Sequence, residues 1–345
     1  MNYIDLFISE DIVLRDAMKK LDVSEQKILF ITDSNKFVAT LTDGDIRRYL
    51  INGGNLDDNA VCAGNTNPKV AHNYDEAKAL YDDKNFVAIP VINNKNEILD
   101  IYIGAEHSEE KTYNLDIPVV VNAGGKGTRL YPYTKVLPKP LIPVGDIPII
   151  EHIMKQYQNY GCNDFHIIVN YKKELMKAYF TDCETPYDVS WYDEEQPLGT
   201  GGGLSLLKRK LDKTFFFANC DTLILSNYDS MIRYHKEHKN VITMVCAYKH
   251  VTIPYGIVEM GDNGSIDEMR EKPELTFLTN TGMYIVEPEV IGEIQDGVAI
   301  GFPDIIEAQK AKGRNVGVYP IGENEWLDMG QLPELEKMRV RLYGE

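Results

Sequence analysis

Ile117-Pro118-Val119-Val120-Val121-Asn122-Ala123-Gly124-Gly125-Lys126-Gly127-Thr128-Arg129 is the stretch from which the rest of the chain can be read. An unbroken apolar run reads as a strand buried on both faces, and it ends abruptly in a glycine-rich turn. Such a turn exposes backbone N–H groups, and small residues let a phosphate come close to them. Between Asp116 and Asp146 there is no acidic residue, yet Lys126, Arg129, Lys135 and Lys139 all fall there. Four cations in a loop usually form only a solvated basic face. Beside a strand that ends in glycines they describe an anion site.

Working outward, apolar strand-like runs alternate with helical patterns. The strands are PVVVNAG, FHIIVNY, DVSWYDE, TFFFANCD and VITMVCAY; the helices are IIEHIMKQYQNYG, ELMKAYFTD, GGLSLLKRKL and YDSMIRYHKEH. This alternation predicts a doubly wound α/β sheet that binds ligands at the carboxyl ends of its strands. The glycine turn and Asp221 both fall at such ends.

The chain has 345 residues, 43% hydrophobic and 26% charged, which at ~150 residues per domain suggests two domains and excludes wholesale disorder. No apolar run approaches the ~18 residues of a membrane span. The acidic start, MNYIDLFISEDIVL, lacks the basic region of a signal peptide. A net charge of −17, from 36 basic and 53 acidic residues, opposes binding to nucleic acid or anionic lipid. The cysteines Cys62, Cys162, Cys183, Cys220 and Cys246 are scattered and odd in number. They read as reduced thiols of a cytoplasmic protein, not as a disulfide frame or zinc site.

Residues 1–107 contain a repeat at an offset of 60, with Asp16-Ala17 recurring as Glu76-Ala77 and Ile28–Ile31 as Val87–Val91. Turn clusters and a second strand follow in each copy, and Gly44 matches Gly104. Each copy reads as helix, strand, turn, strand, too small to bury its apolar face alone. The pair resembles tandem CBS modules, an α+β regulatory domain. Thr42 and Asp45 match the family's Thr/Ser-x-x-Asp, whose carboxylate holds a nucleotide ribose, while Ala105 replaces the Asp in the second copy. The resemblance implies at most one nucleotide site and, more strongly, a structural role in holding a homodimer. Residues 108–117 are polar and form the expected linker; the second domain is then 118–345.

From Gly124 to Pro140 the sequence resembles the signature of sugar-1-phosphate nucleotidyltransferases, G-G-x-G-T-R-L-x-P-x-T-x-x-x-P-K-P, at every fixed position. The resemblance implies a Rossmann-like doubly wound domain in which Ala123, Gly124, Gly125, Gly127 and Thr128 wrap a triphosphate. Arg129 would contact the departing pyrophosphate, and Lys139 would bridge nucleotide and sugar phosphates. Asn122 stands where the family commonly has Ala. Asp221, after the strand Thr214–Phe217, and Asp328, in Trp326-Leu327-Asp328-Met329-Gly330, match the pair of carboxylates that holds Mg²⁺. In isolation either could be a turn or capping residue.

Glu195-Gln196-Pro197-Leu198-Gly199-Thr200-Gly201-Gly202 resembles the base-recognition turn, with Gln196, Gly199 and Thr200 implied in nucleotide binding. Gly256, Glu271, Lys272, Asn280 and Thr281 follow in the family's order and are implied in binding the sugar phosphate. The turn looks most like that of guanylyltransferases, so the expected substrates are GTP and a sugar 1-phosphate. With the CBS pair, the combination resembles glucosamine-1-phosphate guanylyltransferases of legionaminic acid synthesis. Heptose- and mannose-1-phosphate guanylyltransferases, and UTP, dTTP or CTP as nucleotide, remain open. A non-catalytic nucleotide-sugar sensor would have lost Arg129, Lys139, Asp221 or Asp328, and all four are present.

Overall fold

The chain divides into two units, Met1–Lys111 and Thr112–Glu345. The structure, a computed structural model, describes residues 6–24, 27–34, 36–84, 86, 88–103, 113–182 and 187–343. Gly104, Ala105, Cys183 and residues 108–112 of the expected linker lie outside the described residues. Tyr113 to Ile117 belong with the second unit: the Leu115 N–H donates to Tyr160 O (2.9 Å), and Ile117 is buried.

In the first unit β1 (Phe7–Ser9) leads through α1 (Leu14–Val23) to β2 (Ile28–Asp33), which pairs parallel with β1 and antiparallel with β3 (Lys36–Thr42). Leu14, Ala17, Met18 and Leu21 form the buried stripe of α1, spaced as one face of a helix must be. After α2 (Asp43–Ile51), the second copy has α3 (Tyr74–Lys84) and the antiparallel pair β4 (Ile89–Ile92) and β5 (Ile98–Tyr102). A bridge between Ala71 and Val91 repeats the β1–β2 pairing. The leading strand of each copy is too short to show a period, so the sequence reading missed it. The copies share one core, in which Phe30 and Phe37 meet Ala88, Ile92 and Ile101. Asn96 Nδ2 donates to Phe37 O (2.6 Å) across their seam.

The second unit opens with β6 (Val119–Asn122) and continues through α4 (Tyr133–Val136), a hairpin of β7 (Pro143–Val144) and β8 (Ile147–Pro148), and α5 (Ile149–Gln158). Next come β9 (Asp164–Val169), α6 (Lys173–Asp182), β10 (Asp188–Asp193), β11 (Phe215–Asn219), β12 (Thr222–Ile224), α7 (Tyr228–Glu237) and β13 (Ile242–Thr252). A second hairpin, β14 (Ile257–Met260) and β15 (Ile266–Arg270), precedes the long β16 (Glu274–Val286). The chain closes with α8 (Glu289–Gly292), α9 (Phe302–Ala311), β17 (Val316–Ile321), β18 (Trp326–Asp328) and α10 (Leu332–Tyr343).

Seven of these strands form one sheet in the order β10-β9-β6-β11-β16-β13-β17. Val119, Val120 and Val121 have no exposed surface because the sheet is covered on both faces. Val119, Val121, Phe216 and Ala218 point into a core with α5, α7 and α10. Val120, Phe215 and Phe217 point the other way, toward α8, α9 and the turn Gly202–Leu207. β10, β9, β6 and β11 run parallel, as the alternation predicted. The sheet is nevertheless mixed, since β16 runs antiparallel to both β11 and β13.

The helix expected over 202–211 is also corrected: only Gly202–Leu207 coils, as a 3-10 turn. Consecutive glycines carry a high entropic cost in an α-helix. These are also packed too closely to be anything else: a methyl at Gly202 would lie 2.6 Å from Val298 O, and one at Gly203 would lie 2.8 Å from Glu194 Oε1.

Candidate active site

The turn after β6 is pinned at both ends and open in the middle. The Ala123 N–H donates to Ile168 O (2.8 Å) on the neighbouring strand, continuing the parallel ladder one residue past β6. Leu130 is fully buried and its N–H donates to Gly127 O (2.9 Å), while Thr134 Oγ1 donates to the same carbonyl (2.8 Å). Gly127 has φ of 62°, and a methyl there would meet Thr134 Cγ2 at 3.0 Å and Lys139 Cβ at 3.1 Å. Between these anchors Gly125, Lys126, Thr128 and Arg129 are exposed, and no atom lies within 4 Å of a methyl built at Gly125. Exposed N–H groups flanked by cations are what a polyphosphate requires.

Lys139 heads a single 3-10 turn and is buried, and its Nζ forms an ion pair with Asp221. Asp221 follows β11 at the carboxyl edge of the sheet. Asp328 is brought beside it by the two-stranded β12–β18 pair, in which Thr222 opposes Asp328 and the Met329 N–H donates to Asp221 O (2.9 Å). Burial, together with the neighbouring Asp221, holds the Asp328 carboxyl above its usual range, while Lys139 and Arg129 pull it down. Four of the expected residues therefore act on one another in a single corner.

Two carboxylates that repel each other, with oxygen donors only, suit Mg²⁺, a hard cation that takes phosphate and water as its other ligands. Among the described residues no group of three or more His, Cys, Asp or Glu is placed to hold a metal. The remaining ligands of such an ion would be substrate oxygens and water.

The expected base turn is zipped to the segment before α9. The Ile300 N–H donates to Leu198 O (2.9 Å), and the Gly201 N–H donates to Ile300 O (3.0 Å). Gln196 Nε2 donates to Gly297 O (3.0 Å), and Thr200 Oγ1 accepts from the Phe302 N–H (2.9 Å). Gly199 adopts φ of 81° with Ile300 O where a side chain would begin. Asn122 reaches from β6 to this turn, its Nδ2 lying 3.4 Å from Thr200 O. The residue that departs from the family pattern thus links the glycine turn after β6 to the turn Glu195–Gly202.

The residues expected at the sugar phosphate divide into two groups. Gly256 and Glu271 sit together at the base of the β14–β15 hairpin, where a methyl on Gly256 would lie 2.9 Å from Glu271 Oε2; Lys272 follows and is exposed. Asn280 and Thr281 lie on β16 at a bulge opposite Val245 and Cys246. Thr281 is buried and spends its hydroxyl on Val245 O (2.8 Å). In the first unit, Thr42 and Asp45 form a capping box at the start of α2, and Asp45 also ion-pairs with Arg48.

Glu194 escaped the sequence reading. It is buried between the two turns, and a methyl at Gly124 would lie 2.6 Å from its Oε2. Its Oε1 has no hydrogen-bond partner. Burial pushes its carboxyl up to about 7, against the opposing pull of the Leu198 N–H. The available signal was an acidic residue directly before the base turn, hidden among Asp193, Glu194 and Glu195.

An open glycine turn flanked by cations, with paired carboxylates at the carboxyl edge of the sheet, is the arrangement a nucleotide-handling α/β domain requires. The Nucleotidyl transferase family profile matches residues 118–343, and the chain belongs to that family. It is 32% identical over 226 residues to a mannose-1-phosphate guanyltransferase of Pichia angusta, covering 61% of this chain and 60% of that protein. It is 28% identical over 240 residues to a UTP–glucose-1-phosphate uridylyltransferase of Synechocystis, covering 62% of this chain and 60% of that protein. The chain therefore spans about 60% of the length of these curated relatives. The crystal structure of HddC from Yersinia pseudotuberculosis shares the fold, with a TM-score of 0.52 and 20% identity, covering 65% of this chain and 99% of that one. The family match leaves residues 1–117 outside it. No helix among the described residues is long and apolar enough to cross a membrane.

Proposed function

We propose that the chain transfers a nucleotidyl group from GTP to a sugar 1-phosphate, giving a GDP-sugar and pyrophosphate. The observation that carries this reading is the corner of Lys139, Asp221 and Asp328 beside the open turn Gly125–Arg129. A sugar-phosphate oxygen attacks the α-phosphorus, the bond to the bridging oxygen breaks, and its electrons leave on pyrophosphate. The attacking group is already anionic, so no side-chain nucleophile is needed; positioning and facing cations supply the catalysis. Arg129 faces the leaving pyrophosphate and Lys139 neutralises phosphate between the two substrates. Mg²⁺ on Asp221 and Asp328 would offset charge on the α-phosphate.

GTP is supported by the 32% identity to a guanyltransferase against 28% to a uridylyltransferase. For the sugar, that same relative favours mannose 1-phosphate over glucosamine 1-phosphate, to which the resemblance of the tandem module pointed. The first unit is read as a CBS pair that holds a homodimer; engagement of Asp45 by Thr42 and Arg48 favours that role over nucleotide sensing. Pyrophosphate release, measured for GTP, UTP, dTTP and CTP against mannose, glucosamine, glucose and heptose 1-phosphates, tests the reading. Turnover confined to GTP pairs supports it, and no turnover with any pair overturns it.

A further inference from the structure

The turn read as binding the base and the strand read as binding the sugar are far apart in sequence, yet one line of direct contacts joins them. Thr200 lies in the base turn. Its Oγ1 accepts the Phe302 N–H (2.9 Å), which is the first helical donor of α9 and has no partner inside its own helix. As the first helical residue, Phe302 has an N–H that neither the helix nor an N-cap side chain satisfies, and Thr200 supplies its acceptor. The Phe302 ring stacks on Tyr284 with centroids 3.7 Å apart and planes 22° apart. Phe217 of β11 completes a three-ring cluster, its centroid 4.9 Å from Phe302 and 6.0 Å from Tyr284.

Tyr284 carries the line to the sugar strand. Its hydroxyl accepts from Asn280 Nδ2 (2.6 Å), and Asn280 Oδ1 accepts the Gly282 N–H (2.9 Å), which shapes the bulge in β16. Gly282 has φ of 83°, and a methyl there would lie 2.4 Å from Asn219 Nδ2 at the end of β11. Phe302 and Tyr284 are buried, and rings in close-packed contact cannot shift independently.

We propose that Tyr284 is a positioning residue: its hydroxyl aims Asn280 at the sugar phosphate, and its ring ties that aim through Phe302 to occupancy of the base turn. Nucleotide binding then favours sugar-phosphate binding, and by linkage the reverse holds equally. This rests on the functional reading above. It goes beyond that reading in assigning roles to two buried rings that need not touch either substrate.

The test is a grid of initial rates over both substrates, using the full chain and GTP with mannose 1-phosphate, or whichever pair the wild type turns over. In the wild type, the KM for the sugar phosphate should fall as GTP approaches saturation. Tyr284→Phe keeps the stack and removes the hydroxyl; it should raise the sugar-phosphate KM about fivefold or more, with the GTP KM and Tm unchanged. Phe302→Leu removes the stack and should make the sugar-phosphate KM independent of GTP concentration. An unchanged sugar-phosphate KM in Tyr284→Phe overturns the proposal while leaving the functional reading intact. So does a parallel rise of both KM values with a lowered Tm, which marks a merely structural role. No turnover by the wild type with any pair overturns both.

Discussion

Lys139 Nζ and the Asp221 carboxylate are ion-paired across 82 positions of sequence, with Asp328 held beside them by the β12–β18 pair. One cation thus faces two half-buried carboxylates at the edge of the sheet where the glycine turn opens. Removing one member of such a cluster leaves uncompensated charge, which costs more than the pair itself contributes.

Lys139→Met should lower kcat by more than tenfold, a loss above ~1.4 kcal/mol in the barrier. It also leaves Asp221 and Asp328 facing each other, so Tm should fall by a few degrees and be restored by millimolar Mg²⁺. Steady-state kinetics and melting with and without Mg²⁺ check both halves. A variant retaining more than about a tenth of wild-type kcat would remove Lys139 from the chemistry.

Asp221→Asn keeps the shape and deletes a ligand charge. The Mg²⁺ concentration for half-maximal rate should rise severalfold along with the loss of rate. Identical Mg²⁺ titrations for variant and wild type would reduce Asp221 to a partner of Lys139.

Glu194 gives a dependence on pH. Its carboxyl titrates near 7 when folded, against an ordinary 4.5, so between those values the folded chain holds more protons than the unfolded one. Stability therefore falls as pH rises from 4.5 through 7 and stays reduced above that. Glu194→Gln keeps an acceptor for the Leu198 N–H and removes the titration. Its Tm relative to wild type should be near zero at pH 4.5 and a few degrees higher at pH 8. A difference that does not vary with pH contradicts the buried titration.

Gly199→Ala places a methyl 2.7 Å from Ile300 O in a backbone with φ of 81°. The strain is about 1–2 kcal/mol, and relieving it parts the base turn from the segment before α9. The nucleotide KM should rise severalfold with kcat less affected, measured beside a Gly313→Ala control, where φ is 72° but no atom lies within 4 Å of the added methyl. Unchanged nucleotide KM would detach this turn from the nucleotide.

What the sequence determined by itself was local. Val119 to Val121 followed by glycines announces a buried strand and an open glycine turn, because strand burial and turn geometry depend on adjacent residues. The four parallel strands, the helices α5, α6 and α7, and the offset of 60 in the first unit were legible for the same reason. The tertiary structure alone decided what lies far apart along the chain. The antiparallel course of β16 depends on its partners β11 and β13 rather than on its own composition. The 3-10 turn at Gly202–Leu207 follows from what crowds its glycines, Val298 O and Glu194 Oε1. Glu194 looks like any surface acid until β10 and two turns close over it, and the Asp328 carboxyl is raised only because folding buries it and sets Asp221 beside it. Charge and burial act through space, and spacing along the chain carries no record of that distance.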